Sequence, residues 1–461
     1  MRQIIPVILL LATVVGVPPP VWAQQDMDDV LEARRLLLEA GRLIKDIPEA
    51  QQPSAVANVA GQLTRAGDLP DARSVLQLLK RPQDLALANG IIAWHLANSG
   101  NFSGALAIAE VEGGGQTLDG NYQALASLAA LKGNVGEALE IAHRIPPQDL
   151  IARSDGLRRV AAELAKAGEL SRARQVLGEA LNDCDQAILE NSQSALELAQ
   201  IAATQAEIGD KAGAYATLST LSDIAHRLTG VDASMLLEQL AATQARMGDL
   251  VSAQQTMDEL PPNRVDSVLM AISDEQATLG LMADAVATSA HISNSVLRSM
   301  ALREVGIIRG THGTLNDAVD AIDKIPDSSS RAEALAALAL EQADKDNPAA
   351  GQTVQLAWSQ TAGVSTDAAH HALEEIAVTR AMLNDFGGAQ QIVYEMTEQE
   401  SRVWPLWNIT SIMVSTGHKE EALTLAENEN AAYPKTYALL GVATGILDRR
   451  EAESKERAGK R

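Results

Sequence analysis

One spacing of small and apolar residues runs through most of the chain. A turn former, four residues and then a small residue stand at Gly67 and Ala72, Gly100 and Ala105, Gly133 and Ala138, and Gly168 and Ala173. The series continues at Gly209 and Ala214, Gly248 and Ala253, Gly280 and Ala285, Gly313 and Ala318, and Gly417 and Ala422. Two degenerate copies lie at Asp346 and Gly351 and at Asn384 and Ala389. Eight and seven residues before each turn former sit an aliphatic and a small residue: Val59 and Ala60, Ile92 and Ala93, Leu125 and Ala126, Val160 and Ala161, Ile201 and Ala202, Leu240 and Ala241, Ile272 and Ser273, Val305 and Gly306, Leu338 and Ala339, Ile376 and Ala377, Ile409 and Thr410. The eleven turns span positions 67 to 417, a mean spacing of 35 residues. A period of this length marks a repeat architecture.

Each copy reads as a helical hairpin. The first helix, helix A, carries the aliphatic–small pair, and its small member lets helix B approach closely. Glycine at the turn takes the left-handed conformation that ends helix A at little cost, and Asn or Asp tolerates it next best. The alanine five residues later lies in the first turns of helix B, where a larger side chain would push the helices apart. Pro48, Pro82, Pro146, Pro147, Pro261, Pro262 and Pro326 fall at repeat boundaries, where they end helix B. A single hairpin cannot bury its apolar faces, whereas stacked copies can, so an all-α solenoid is expected.

The period and the order aliphatic–small, Gly, Ala, Pro resemble tetratricopeptide repeats over about residues 54 to 430. The resemblance implies a right-handed α-α superhelix of about eleven hairpins, with helix A lining the inner face. The chain departs from that pattern in helix A, where the usual large aromatic is replaced by Leu63, Leu96 and Leu164 and by Gln205, Gln244, Gln276 and Gln342. Mapped onto the family's inner-face positions, Ala162, Ala165, Ala203, Ala206, Ala242, Ala245, Ala277, Ala343 and Ala381 give a surface of small residues. The recurrent Lys and Asn set of the family's peptide-carboxylate clamps is absent.

Outside the repeats, Met1 and Arg2, the apolar run Ile4–Val17, three prolines and a small residue at Ala23 read as a secretory signal peptide over 1–23. Residues 24–52 are expected to hold a leading helix that covers the first repeat, and 53–430 the eleven repeats. Residues 431–448 are expected to form a C-terminal capping helix. The 449–461 tail has six basic and three acidic residues and no apolar pattern, so disorder is expected there and Arg457→Ala should change little. Helix B is expected to be longer in the fourth and fifth copies, around 181–192 and 224–232.

Composition sharpens this picture. Only two Phe, five Tyr and five Trp are present among 461 residues, so the core is aliphatic, which suits close-packed helices. The net charge of −23 makes nucleic acid a poor partner. One cysteine, Cys184, excludes an internal disulfide or a cysteine-based metal site, and it is expected to be a buried apolar residue. His370, His371, Glu374 and Glu375 make the most metal-like fragment, but further ligands are missing, and no metal or cofactor is expected. No catalytic motif is present, so the chain is not expected to be an enzyme.

The expected function is that of a periplasmic scaffold or adaptor for another envelope protein. A glycan-binding role and an enzyme site assembled across repeats are the alternatives. Trp94, Trp404 and Trp407 map to inner-face positions, where they either anchor a partner or fill gaps in a cap. Arg158 and Arg303 map inward too, with Glu238 and Glu374, and complete the candidate contact set.

Overall fold

In the computed structural model, residues 21–112, 116–190, 192–362 and 369–459 are described. The proposed signal peptide lies outside them except for Val21, Trp22 and Ala23, which open the first helix. Every regular element among the described residues is helical, and the chain is an all-α helical repeat protein. It divides into two compact units: residues up to His95 together with the chain from Thr366 onward, and residues Leu96–Ser365.

The first unit begins with α1 (Val21–Leu43), α2 (Gln52–Arg65), α3 (Leu69–Leu76) and α4 (Pro82–Asn98), and the boundary falls inside α4. The second unit holds α5 (Phe102–Glu112), α6 (Gln116–Leu131), α7 (Val135–Ala142), α8 (Leu150–Lys166), α9 (Leu170–Glu190), α10 (Leu196–Glu207), α11 (Lys211–Arg227) and α12 (Val231–Arg246). It continues with α13 (Leu250–Met257), α14 (Asp266–Thr278), α15 (Met282–Ala290), α16 (Ser295–His312), α17 (Leu315–Ile322), α18 (Ser328–Asp344) and α19 (Ala350–Gln360). The first unit resumes with α20 (His370–Met382), α21 (Phe386–Glu395), α22 (Gln399–Ser415), α23 (Lys419–Asn428) and α24 (Ala432–Gly459).

Each turn position lies between two helices, and the hydrogen bonds there explain the spacing. At the first, the Asp68 N–H donates to the Leu63 carbonyl at 2.8 Å and the Gly67 N–H to Thr64 at 2.9 Å, with Gly67 at φ +82°. These two bonds satisfy the last carbonyls of α2 and need the left-handed conformation. Asp346 and Asn384 adopt the same conformation, at φ 53° and 63°, with the same two bonds. Gly313 departs from the expectation. Its backbone is at φ −126°, its N–H bonds back to Arg309, and Thr314 caps α17 through the Asp317 N–H at 3.2 Å.

Close helix approach follows. Both members of all eleven aliphatic–small pairs are buried. The alanine five residues after the turn is fully buried in every copy but the ninth. There the buried place comes four residues after the turn former instead of five, at Ala350, and Gly351 is exposed with open space around its Cα. Within the second unit, first helices pack side by side, α12 on α14, α14 on α16 and α16 on α18.

Four glutamines in the first helices have a common task. Gln205, Gln244, Gln276 and Gln342 each accept a hydroxyl hydrogen bond across the hairpin, from Thr217 (2.8 Å), Thr256 (2.9 Å), Thr288 (2.8 Å) and Thr353 (2.6 Å). A buried amide needs such a partner, and the repeated pair fixes the register of helix B on helix A. The lengthened second helices are α9, with 21 residues, and α11, with 17, against 8 in α7.

The tail expectation is corrected. The last helix does not stop at 448 but runs to Gly459. Arg457 makes two 2.9 Å bonds to Asp26, whose residue is 4% exposed, and Arg449 reaches Asp29 at 3.2 Å. The basic excess that reads as disorder is held by carboxylates of α1. The leading helix lies chiefly along α24 and less on α2.

The turn geometry is testable by a matched set. Asp346→Gly should raise stability by roughly 1 kcal/mol and Gly168→Ala, at φ +83° in open space, should lower it by a similar amount. Ala173→Trp, at a fully buried position, should lower the melting temperature further still. Thermal unfolding followed by circular dichroism checks all three, and a stabilising Gly168→Ala would contradict the turn assignment.

Candidate partner-binding surface

The three tryptophans separate into two kinds. Trp94 lies on α4 and is 45% exposed; Leu87, two turns earlier on the same helix, is 64% exposed. The two are seven residues apart and so share a helix face. Trp404 lies on α22 and is 40% exposed, its carbonyl accepting from the Asn408 amide at 2.9 Å. Trp407, one turn on, is half-buried. Its indole N–H donates to Thr444 Oγ1 at 3.1 Å and its ring meets Tyr437 edge-on at 5.8 Å. Tyr437 packs edge-on to Tyr433 at 5.3 Å and bonds through its hydroxyl to Ser54 (2.9 Å) and Asn58 (3.2 Å). The C-terminal aromatics therefore join α22, α24 and α2, and Trp94 and Trp404 alone of the candidate rings face solvent. All belong to the first unit.

On α22, Arg402 stands 5.5 Å from the centre of the exposed Tyr394 ring and bonds to Glu429 at 2.6 Å. Burial pushes the Glu429 carboxyl up, with Arg402 opposing. His371 lies 3.8 Å from Glu374, whose carboxyl is likewise raised by burial. No three His, Cys, Asp or Glu side chains converge to hold a metal ion among the described residues.

The second unit places its candidates differently. Arg158 is enclosed: its guanidinium contacts Asp155 and bonds to Glu197 at 3.1 Å. Burial pushes the Glu197 carboxyl up to about 7 against the pull of Arg158. The arginine is thus occupied in joining α8 to α10. Arg303 is half-buried, with its Nε lacking a hydrogen-bond partner. Glu238 accepts from Arg264 at 3.0 Å and Ser267 at 2.5 Å. The stripe of small residues read as an inner surface is largely closed over. Ala242, Ala245, Ala277, Ala343 and Ala381 are buried, and Ala162, Ala165, Ala203 and Ala206 half-buried, since small residues allow neighbouring helices to close over them.

Two features escaped the sequence reading. Arg153 and Asp183 form a two-pronged pair at 2.6 Å between α8 and α9. Asp274 is half-buried with its Oδ1 enclosed and unpartnered, and burial, reinforced by Glu304 and opposed by Arg246, pushes its carboxyl up to about 7. In both, the partners sit some 30 residues apart or in neighbouring repeats, so no local spacing reveals them. Cys184 is fully buried, and burial pushes its thiol up to about 12, so the thiolate is suppressed.

No helix among the described residues is long and apolar enough to cross a membrane. No family model matches the chain, and no curated protein matches it. Solved structures are similar at low identity. The crystal structure of Ton1535 from Thermococcus onnurineus NA1 is 14% identical over 83% of this chain and 97% of that one, with a TM-score of 0.29. A circular tandem repeat protein with novel repeat topology and enhanced subunit contact surfaces is 14% identical over 93% of this chain and 100% of that one, with a TM-score of 0.22.

Asp274 yields a pH prediction. Its folded value of about 7 lies above the roughly 4 of an unfolded aspartate, so folding favours the protonated form. Stability from this group is present at low pH and lost as pH rises from about 4 through 7. Asp274→Asn should melt above wild type at pH 8 and lose that advantage at pH 4. Thermal melts at both values test this, and a variant less stable than wild type at pH 8 would refute it.

Proposed function

We propose that this chain is an exported scaffold of the cell envelope, built as a right-handed solenoid of eleven tetratricopeptide-like hairpins, and that it holds another protein through its exposed tryptophans. The observation that carries the reading is the pair of indoles at Trp94 and Trp404. Both stand on first helices with their rings in solvent, although the third candidate, Trp407, is tied into the helix packing. Exposed tryptophan is a frequent energetic centre of protein interfaces, because it desolvates a large rigid surface on binding. The acid surplus adds charge selectivity, favouring a neutral or basic partner face. The N-terminal pattern of charge, apolar run and small residue supports export to the periplasm. The scaffold reading assigns no catalytic residue and no cofactor.

The test uses the full chain, produced in a Gram-negative host and recovered from the periplasm, where it should begin at Gln24. Immobilised wild type should retain a defined partner from envelope extract. The double variant Trp94→Ala and Trp404→Ala, matched in helical circular dichroism, should bind that partner at least about tenfold more weakly. Undiminished retention by the variant would remove the tryptophans from the proposal. Recovery of the chain in the cytoplasm with its N-terminus intact would remove export.

A further inference from the structure

The helices at the two ends of the chain carry the marks of one more repeat, divided between them. In α22 a leucine, Leu406, precedes the pair Ile409 and Thr410 by three residues, and α10 has the same order in Leu198, Ile201 and Ala202. The C-terminal helix α24 repeats it 33 residues further on, in Leu439, Val442 and Ala443, all buried. That is the helix A pattern. Second helices end on a different pattern: Ala253, Met257, Leu260 and Pro261 in one copy, Ala318, Ile322, Ile325 and Pro326 in another. The N-terminal helix and the turn after it reproduce that spacing in Ala40, Ile44, Ile47 and Pro48, with the three apolar members buried. That is the helix B pattern.

The geometry agrees with the patterns. Asp26, near the start of α1, meets Arg457, near the end of α24, and Asp29 meets Arg449 further back. The two helices therefore run antiparallel, with the end of one beside the start of the other, as in the hairpins joined by a turn. Each also takes the neighbours its pattern demands. On α24, a Cβ at Gly441 would overlap Thr410 Oγ1 and the Trp407 carbonyl, so this helix lies against α22 at backbone distance. Its Asp448 and Glu451 take Arg65 of α2 at 2.5 and 3.3 Å. From α1, Arg34 donates to the Ala66 carbonyl at the end of α2, at 3.0 and 3.2 Å. Glu32 takes Lys419 at the start of α23, at 2.8 Å.

We propose that α24 and α1 together form a further hairpin whose turn is missing, and that this non-covalent pair is a clasp fastening the first repeat to the last. Its charge is matched across the seam. The N-terminal helix supplies Asp26, Asp29 and Glu32, and the C-terminal segment supplies Arg449, Arg457 and Lys419. The apolar strip beneath gives adhesion, and the ion pairs set the antiparallel register.

Two measurements decide the matter. In a circular permutant, residue 459 is linked to residue 24 by a short flexible loop and the chain is opened between Pro48 and Gln52. That turns the clasp into an ordinary final hairpin. It should be monomeric, match wild type in helical circular dichroism and melt at a higher temperature, because the closing contact becomes local. In a second experiment, the full chain carries a protease site between Pro48 and Gln51 and is cut after folding. The fragment N-terminal to the cut should stay bound through gel filtration, and Arg449→Ala with Arg457→Ala should speed its loss at least tenfold. A fragment that leaves on cutting, while the remainder stays helical, would overturn the proposal. So would a permutant that folds but melts below wild type.

Discussion

A core with two Phe, five Tyr and five Trp in 461 residues must gain its dispersion energy from small and aliphatic side chains, and it does so only where helix backbones come close. The buried alanine at the start of each helix B is where that approach happens. In ten of the eleven copies the preceding turn reverses the chain through a left-handed position and two backbone bonds that consume the last carbonyls of helix A. Turn and small residue are one device. In the ninth copy the buried position falls one residue earlier, at Ala350 instead of Gly351. The Gln–Thr bond crossing each of four hairpins moves too, from a separation of 12 residues to 11.

What was legible in the sequence is what repeats locally. The turn formers, the aliphatic–small pairs and the lengthened α9 and α11 depend on residues within one hairpin, and a spacing can display them. Gly313 was misread because glycine permits the left-handed conformation without requiring it, and Thr314 offered a cap of its own. The tail was misread because composition reports charge and not partners. Its arginines meet carboxylates more than 400 residues away in sequence. The same limit hid the role of Trp407, whose Thr444 partner lies on the next long helix, and the enclosure of Arg158 by Glu197.

The candidate surface is correspondingly smaller than the sequence suggested. A stripe of alanines can be an open face or a packing face, and small side chains make the second possible by letting the neighbouring helix descend onto them. Five of the nine alanines are buried and four half-buried, and of the three candidate indoles two stand exposed on the first unit. Inside the second unit, Glu197 and Asp274 show what burying carboxylates costs in a chain this acidic: both are pushed toward neutrality at ordinary pH, one beside an arginine and one with an oxygen unpartnered.

Hydrogen exchange read by mass spectrometry on the folded chain distinguishes close-packed helices from loose ones, since protection reports which helices are held by close packing. Slow exchange is expected around each aliphatic–small pair, with Leu439–Ala443 of α24 and Leu36–Ala40 of α1 as protected as Ile201 and Ala202, and measurable protection through Arg457. Exchange at unfolded-chain rates in α1 or across 449–457, beside protected central helices, would contradict it.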